Sequence, residues 1–117
     1  MRISTAVFTL LAAIALAGCR SRVVKVNLTN TSAAPISTII VDYPSATFGK
    51  DKLAPGETFS YAIKPLETGE LKIQFTDAKG ARHTYTGSPL HKDDEGEIDV
   101  RLTQEGATAA VKLNTYR

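Results

Sequence analysis

The chain has 117 residues, 43% of them hydrophobic, with a single cysteine and a formal net charge of +2 at pH 7. That length encloses one core and is too short for two domains, and the lone thiol excludes an internal disulfide. The near-balance of 14 basic and 12 acidic side chains argues against nucleic acid or a strongly acidic partner, which would need a clustered basic stripe.

Met1-Arg2 supplies a short positive start, and Ile3 to Ala17 follows as an apolar run broken only by Ser4, Thr5 and Thr9. The run is about 15 residues, shorter than the roughly 20 that span a bilayer, so it predicts a removable helical signal rather than an anchor. It closes on Leu16-Ala17-Gly18-Cys19, which resembles the lipobox of bacterial lipoproteins. The resemblance implies cleavage after Gly18, so that residues 1–18 are a signal peptide and Cys19 becomes the first mature residue. It further implies a diacylglyceryl group on the Cys19 sulfur and an acyl chain on the new amino terminus. Two such lipid signals give stable membrane attachment, and this covalent lipid is the one prosthetic group expected. Arg20 and Arg22 suit an anionic headgroup layer. Position 20 is not the Asp that retains many such proteins in the inner membrane. In a diderm bacterium the resemblance therefore implies the outer membrane, with the domain facing the periplasm. Residues 19–22 are then a lipidated Cys and a short tether.

From residue 23 to 117 the expected mature domain has about 99 residues including the tether, and a charge near +1. The apolar period there is two. Val24, Val26 and Leu28 alternate with Lys25 and Asn27; Ile39, Val41 and Tyr43 alternate with Ile40 and Asp42. The same rhythm runs through Phe59-Tyr61-Ile63, Leu71-Ile73-Phe75, His83-Tyr85, Ile98-Val100-Leu102 and Ala109-Val111-Leu113. Successive strand side chains face opposite ways, so each segment predicts one buried and one wetted side. No second apolar stretch of spanning length follows the first.

Turn chemistry separates these segments. Asn30-Thr31-Ser32 and Ala34-Pro35 lie between the first two, and Pro44 ends the second because it cannot donate to a ladder. Leu53-Ala54-Pro55-Gly56-Glu57 places Pro and Gly in type II order, and Asp77-Ala78-Lys79-Gly80 reads as a hairpin loop with Gly in a left-handed position. Gly87-Ser88-Pro89 and Asp93-Asp94-Glu95-Gly96 divide the remainder. Seven or eight short strands at this spacing predict an all-β fold, a single antiparallel sandwich of two packed sheets. Val26-Asn27-Leu28-Thr29-Asn30-Thr31-Ser32, the Ile-rich strand and Leu53-Ala54-Pro55-Gly56-Glu57 together resemble small bacterial immunoglobulin-like domains. The resemblance covers residues 23 to 76 and implies a fold class, since members of that group range from adhesins to enzyme accessory modules and inhibitors.

Catalytic constellations are sparse. His83 falls in phase with Tyr85 on a sheet face, and His91 sits in a charged connector. Ser88, between Gly87 and Pro89, is a turn residue rather than a nucleophile elbow. Asp93, Asp94, Glu95, Glu97 and Asp99 crowd one stretch but lack EF-hand order, and they read as a solvated charged turn and strand face. The histidines are too far apart for zinc, and the only thiol is taken by lipid. No catalytic residue, metal site or enzymatic activity is expected.

Two features could carry binding. The connection Tyr43 to Asp51 presents Tyr43, Phe48 and Lys50 together with Gly49, and loops on a rigid sandwich are common recognition surfaces. The same rings would equally plug one end of a small core. The second feature is an exposed strand edge, which can accept a partner strand, although the sequence does not say which strand it is. The expectation is a lipid-anchored, non-catalytic envelope protein that binds or assembles with another envelope protein. One alternative is a glycan or peptidoglycan binder stacking on Tyr43, Phe48 and Tyr85. Another is an inhibitor that inserts the Tyr43–Asp51 connection into an envelope enzyme.

Overall fold

The computed structural model describes residues 22–115, which form eight strands. They are β1 (Val24–Asn30), β2 (Ile36–Tyr43), β3 (Ala46–Leu53), β4 (Thr58–Ile63), β5 (Gly69–Thr76), β6 (Arg82–Leu90), β7 (Asp94–Leu102) and β8 (Ala107–Thr115). Among the described residues no helix is long and apolar enough to cross a membrane. The expected signal peptide, residues 1–18, and Cys19 lie outside the described residues.

Period-two alternation is what makes two sheets of these strands. In β1, Val24, Val26 and Leu28 are fully buried while Lys25 between them is exposed. Each strand therefore has one face to hide, and two sheets hide them against each other. One sheet runs β4-β1-β7-β8 and the other β3-β2-β5-β6. The core between them joins Val24, Leu28, Ile98 and Val100 of the first sheet to Val41, Leu53, Ile73 and Phe75 of the second.

The sandwich is not strictly antiparallel. β1 pairs with β7 in parallel, Val26 opposite Ile98 and Leu28 opposite Val100. The cause is topological: the β6–β7 connection returns the chain to the end where β1 begins. There the Gly96 N–H donates to the Val23 carbonyl at 3.2 Å.

β3 also departs from the sequence expectation, because Tyr43 to Asp51 is no irregular connection. Pro44 and Ser45 form a tight turn between Tyr43 and Ala46, and β3 returns antiparallel to β2 with Val41 opposite Phe48. β3 is an edge strand that buries only Phe48 and Leu53, so it lacks a periodic apolar signal. Its partner β2 carries a bulge. Ser37 pairs with Thr76 but Ile40 with Gln74, leaving one extra residue on β2. Thr38 takes it up with a φ of 49°, a strained geometry for a β-branched residue, and both Ile36 and Ile39 thereby reach the core.

The loops at the far end are tied by one buried amide. Asn30 Nδ2 donates to the carbonyls of Ala34 (2.8 Å) and Leu53 (3.0 Å), and its Oδ1 accepts from the Ser32 N–H and hydroxyl. The turn after β3 has its expected form: Gly56 has a φ of 79°, and the Glu57 N–H closes on the Ala54 carbonyl at 3.0 Å.

Candidate binding edge

A two-layer sandwich has two open sides, where the edge strands of its sheets face each other. Here they are closed by different means. On the side of β3 and β4, aromatic rings fill the gap. Phe48 of β3 stacks on Tyr61 of β4 with centroids 4.3 Å apart and planes 16° apart. Tyr43 and Phe59 lean on Phe48 at 6.5 and 6.2 Å, and the Lys50 ammonium sits 5.3 Å from the centre of the Phe59 ring. Burial, reinforced by the neighbouring Tyr61, pushes the Tyr43 phenol above its usual pKa.

The three residues singled out in the sequence, Tyr43, Phe48 and Lys50, are therefore brought together, but on a hairpin and as part of this plug. Phe48 is buried, while Tyr61, in the same cluster, is 42% exposed. Tyr85 does not join them. It lies on β6, at the opposite edge of its sheet, so the three rings weighed as a glycan platform do not share one surface.

On the other side β6 faces β8, and the filling is thin. The inward residues of β8 are Ala107, Ala109, Val111 and Leu113; Val111 remains 41% exposed, and the other three are partly buried. β8 pairs with β7 over nine consecutive residues without a register shift, from Ala107 opposite Leu102 to Thr115 opposite Asp94. Its other side is a row of backbone donors and acceptors of the kind that accepts a further strand.

The remaining edges are blunted in ways that disfavour pairing. β3 carries Lys50, Asp51 and Lys52; β6 carries Arg82, Pro89 and a bulge before its end; β4 is only six residues long. β8 has no proline or glycine, and Lys112 is its one charge. Beside it, the outward residues Asp99, Arg101, Thr108 and Ala110, together with Ala109, line a shallow depression of about 330 Å³. The small side chains of β8 leave this space open.

The same outward face is polar and internally bonded. Asn27 Nδ2 donates to Glu97 Oε1 at 2.5 Å and to Asp99 Oδ1 at 2.6 Å, and the Ser60 hydroxyl donates to Asn27 Oδ1 at 2.6 Å. Glu97 and Asp99 thus spend one oxygen each on a neighbouring strand. The acidic stretch is not wholly solvated as expected. Asp94 is buried, and its Oδ2 accepts the His91 backbone N–H at 2.9 Å, fastening the β6–β7 connection. Among the described residues, no group of three or more His, Cys, Asp or Glu side chains converges as a metal site would.

His83 is tied into the β5–β6 hairpin. Its Nε2 lies 2.8 Å from Asp77 Oδ2, and its ring stacks on Phe75 at 5.2 Å. Asp77 Oδ1 also accepts the N–H groups of Lys79 and Ala81, both at 2.9 Å. The hydrogen bond from His83, then that from Ala81, holds the Asp77 carboxyl below its ordinary pKa. Gly80, with a φ of 87°, closes the hairpin in the left-handed position expected of it.

No family model and no curated protein matches the chain. Its fold is similar to an NMR structure of a protein from Eubacterium rectale, with a TM-score of 0.58 over 75% of this chain and 88% of that one. Identity is 11%, so the likeness shows the fold alone.

Proposed function

We propose that this chain is a lipid-anchored, non-catalytic protein of the bacterial cell envelope, whose sandwich binds an extended segment of another envelope protein along β8. The observation that carries the binding half is the contrast among edges: of four, only β8 is long, regular and nearly uncharged, with Val111 left partly in water. Strand addition draws affinity from main-chain hydrogen bonds and specificity from alternate side chains. The depression between Asp99 and Ala110 offers room for one such side chain. The anchoring half rests on the lipobox-like Leu16-Ala17-Gly18-Cys19, and with Arg at position 20 it favours the outer membrane facing the periplasm in a diderm.

Strand order supports an immunoglobulin-like reading of the sandwich. β1 beside β4, facing the order β3-β2-β5-β6, follows strands B and E facing C′-C-F-G of variable-type domains. β7 then lies on the flank of β1 where strand A would sit. The inhibitor alternative loses support from the tight Pro44-Ser45 turn, which leaves no long loop to insert.

Two comparisons test the proposal. Cys19→Ser should abolish lipid labelling and release the chain from membranes; unchanged membrane partition would refute the anchor. Isolation from crosslinked envelopes should recover one stoichiometric protein with the wild-type chain and lose it with Val111→Lys, since an inward-pointing charge blocks edge pairing. Recovery of no stoichiometric protein, together with retention on purified sacculi, would replace the protein partner with a glycan.

A further inference from the structure

The end of the sandwich where the chain comes in also carries the most exposed large apolar side chain among the described residues. Val24 pairs with Ile63, so the β4–β5 connection, residues 64–68, emerges directly beside the start of β1. Within it Pro65 is buried, the Leu66 N–H donates to the Ser45 hydroxyl at 2.7 Å, and the Leu66 side chain is 60% exposed. The loop is thus pinned at Pro65 and at the Leu66 backbone, with the leucine side chain facing outward. The charges exposed around it are of both signs, Lys64 and Glu67 in the same loop and Lys92 in the neighbouring β6–β7 connection.

Distance decides what meets this end. Four residues lie between Cys19 and Val24, so the two are five steps apart along the chain, and at most about 3.3–3.6 Å per step gives roughly 17 Å. A headgroup layer accounts for about 5–7 Å of that. An acylated Cys19 therefore leaves this end of the domain about 10 Å or less of clearance from the bilayer. A held apolar tip at that range reaches the interfacial layer, where an exposed leucine leaves water on contact.

We infer that the β4–β5 connection, with Leu66 at its tip, rests on the bilayer surface that holds the anchor. The inference builds on the lipid-anchored reading and adds an orientation to it. The strands then stand away from the membrane, and the Asn30 loop cluster and the β7–β8 turn lie at its distal end. β8 then rises from the membrane with its free edge facing sideways and its Thr115 end nearest the bilayer.

The test uses the full lipidated chain in vesicles of phosphatidylethanolamine and phosphatidylglycerol, with a polarity-sensitive fluorophore on Thr68→Cys or, as distal control, on Glu105→Cys. With the Cys19 sulfur carrying diacylglyceryl, the introduced thiol is the one that labels. The proximal probe should shift to the blue and be quenched by spin-labelled lipid, the distal probe should do neither, and Leu66→Ser should abolish the proximal quenching. Equal, water-like emission from both probes on a membrane-bound, lipidated chain would overturn the docking while leaving the anchor intact. A chain that carries no lipid and does not partition would overturn both.

Discussion

Phe48 and Tyr61 belong to different sheets and lie on edge strands, yet their rings stack 4.3 Å apart. The pair clasps one open side of the sandwich, with Phe48 buried and Tyr61 forming the outer lid. Truncation should therefore be unequal. Phe48→Ala removes a buried ring and should destabilise by about 3–5 kcal/mol. Tyr61→Ala removes a half-exposed partner and should cost about 1 kcal/mol. Urea unfolding followed by circular dichroism measures both; equal losses would show that the stack is incidental to the core.

Asn30 is fully buried, and its amide serves two loops. Asn30→Ala leaves the Leu53 carbonyl and the Ser32 N–H without this partner in a dry site, at a cost of about 2–3 kcal/mol. Asn30→Asp should be no rescue, because a carboxylate cannot donate to the two carbonyls. Thermal melts of the two variants check this, and a variant within a few tenths of a kcal/mol of wild type (roughly the range of neutral surface changes) would contradict it.

Gly96 packs its backbone against β8. A Cβ built on it would lie 2.0 Å from the Lys112 carbonyl oxygen, at a φ of 146°. Gly96→Ala must push β8 off β7 and should destabilise by about 2 kcal/mol or more. Hydrogen exchange should locate the damage in the β7–β8 ladder near Leu113 and leave the β2–β5 ladder protected. Uniform loss of protection would place the effect elsewhere.

Asp77 is held below its ordinary pKa mainly by the hydrogen bond from His83. A carboxyl with a depressed folded pKa stabilises the fold above its unfolded value, about 3.9, and loses that contribution as pH falls through the folded value. Wild type should therefore exceed Asp77→Asn in stability at pH 5, and the gap should close toward pH 2. A gap constant across that range would dissociate Asp77 from the acid response.

These elements differ in how far the sequence revealed them. The type II turn at Pro55-Gly56 and the hairpin at Gly80 were legible because their chemistry is local. So was the alternation in β1, β5 and β7, where burial of one face dictates residue type. β3 was hidden, since an edge strand that buries only Phe48 and Leu53 carries no period. The plug is half visible: Tyr43 and Phe48 stand out as rings, but Tyr61, in phase with Phe59 and Ile63, reads as an inward strand residue and is largely a lid. The parallel pairing of β1 with β7, and the edge status of β8, depend on which strands meet across more than 70 residues. Ala109-Ala110-Val111-Lys112, a strand with small side chains and one charge, is the signal that could have singled out β8. It becomes readable only when the neighbours are known.

Recognition along the β8 edge is open to direct test. Photo-crosslinking in intact envelopes tests it most directly, with the reactive residue placed at Lys112 on β8 or at Thr47 on β3 of the full-length chain. One discrete adduct is expected from position 112, lost on adding Val111→Lys, and none from position 47. An adduct from position 47 with none from position 112 would contradict it and place recognition on the side closed by Phe48 and Tyr61.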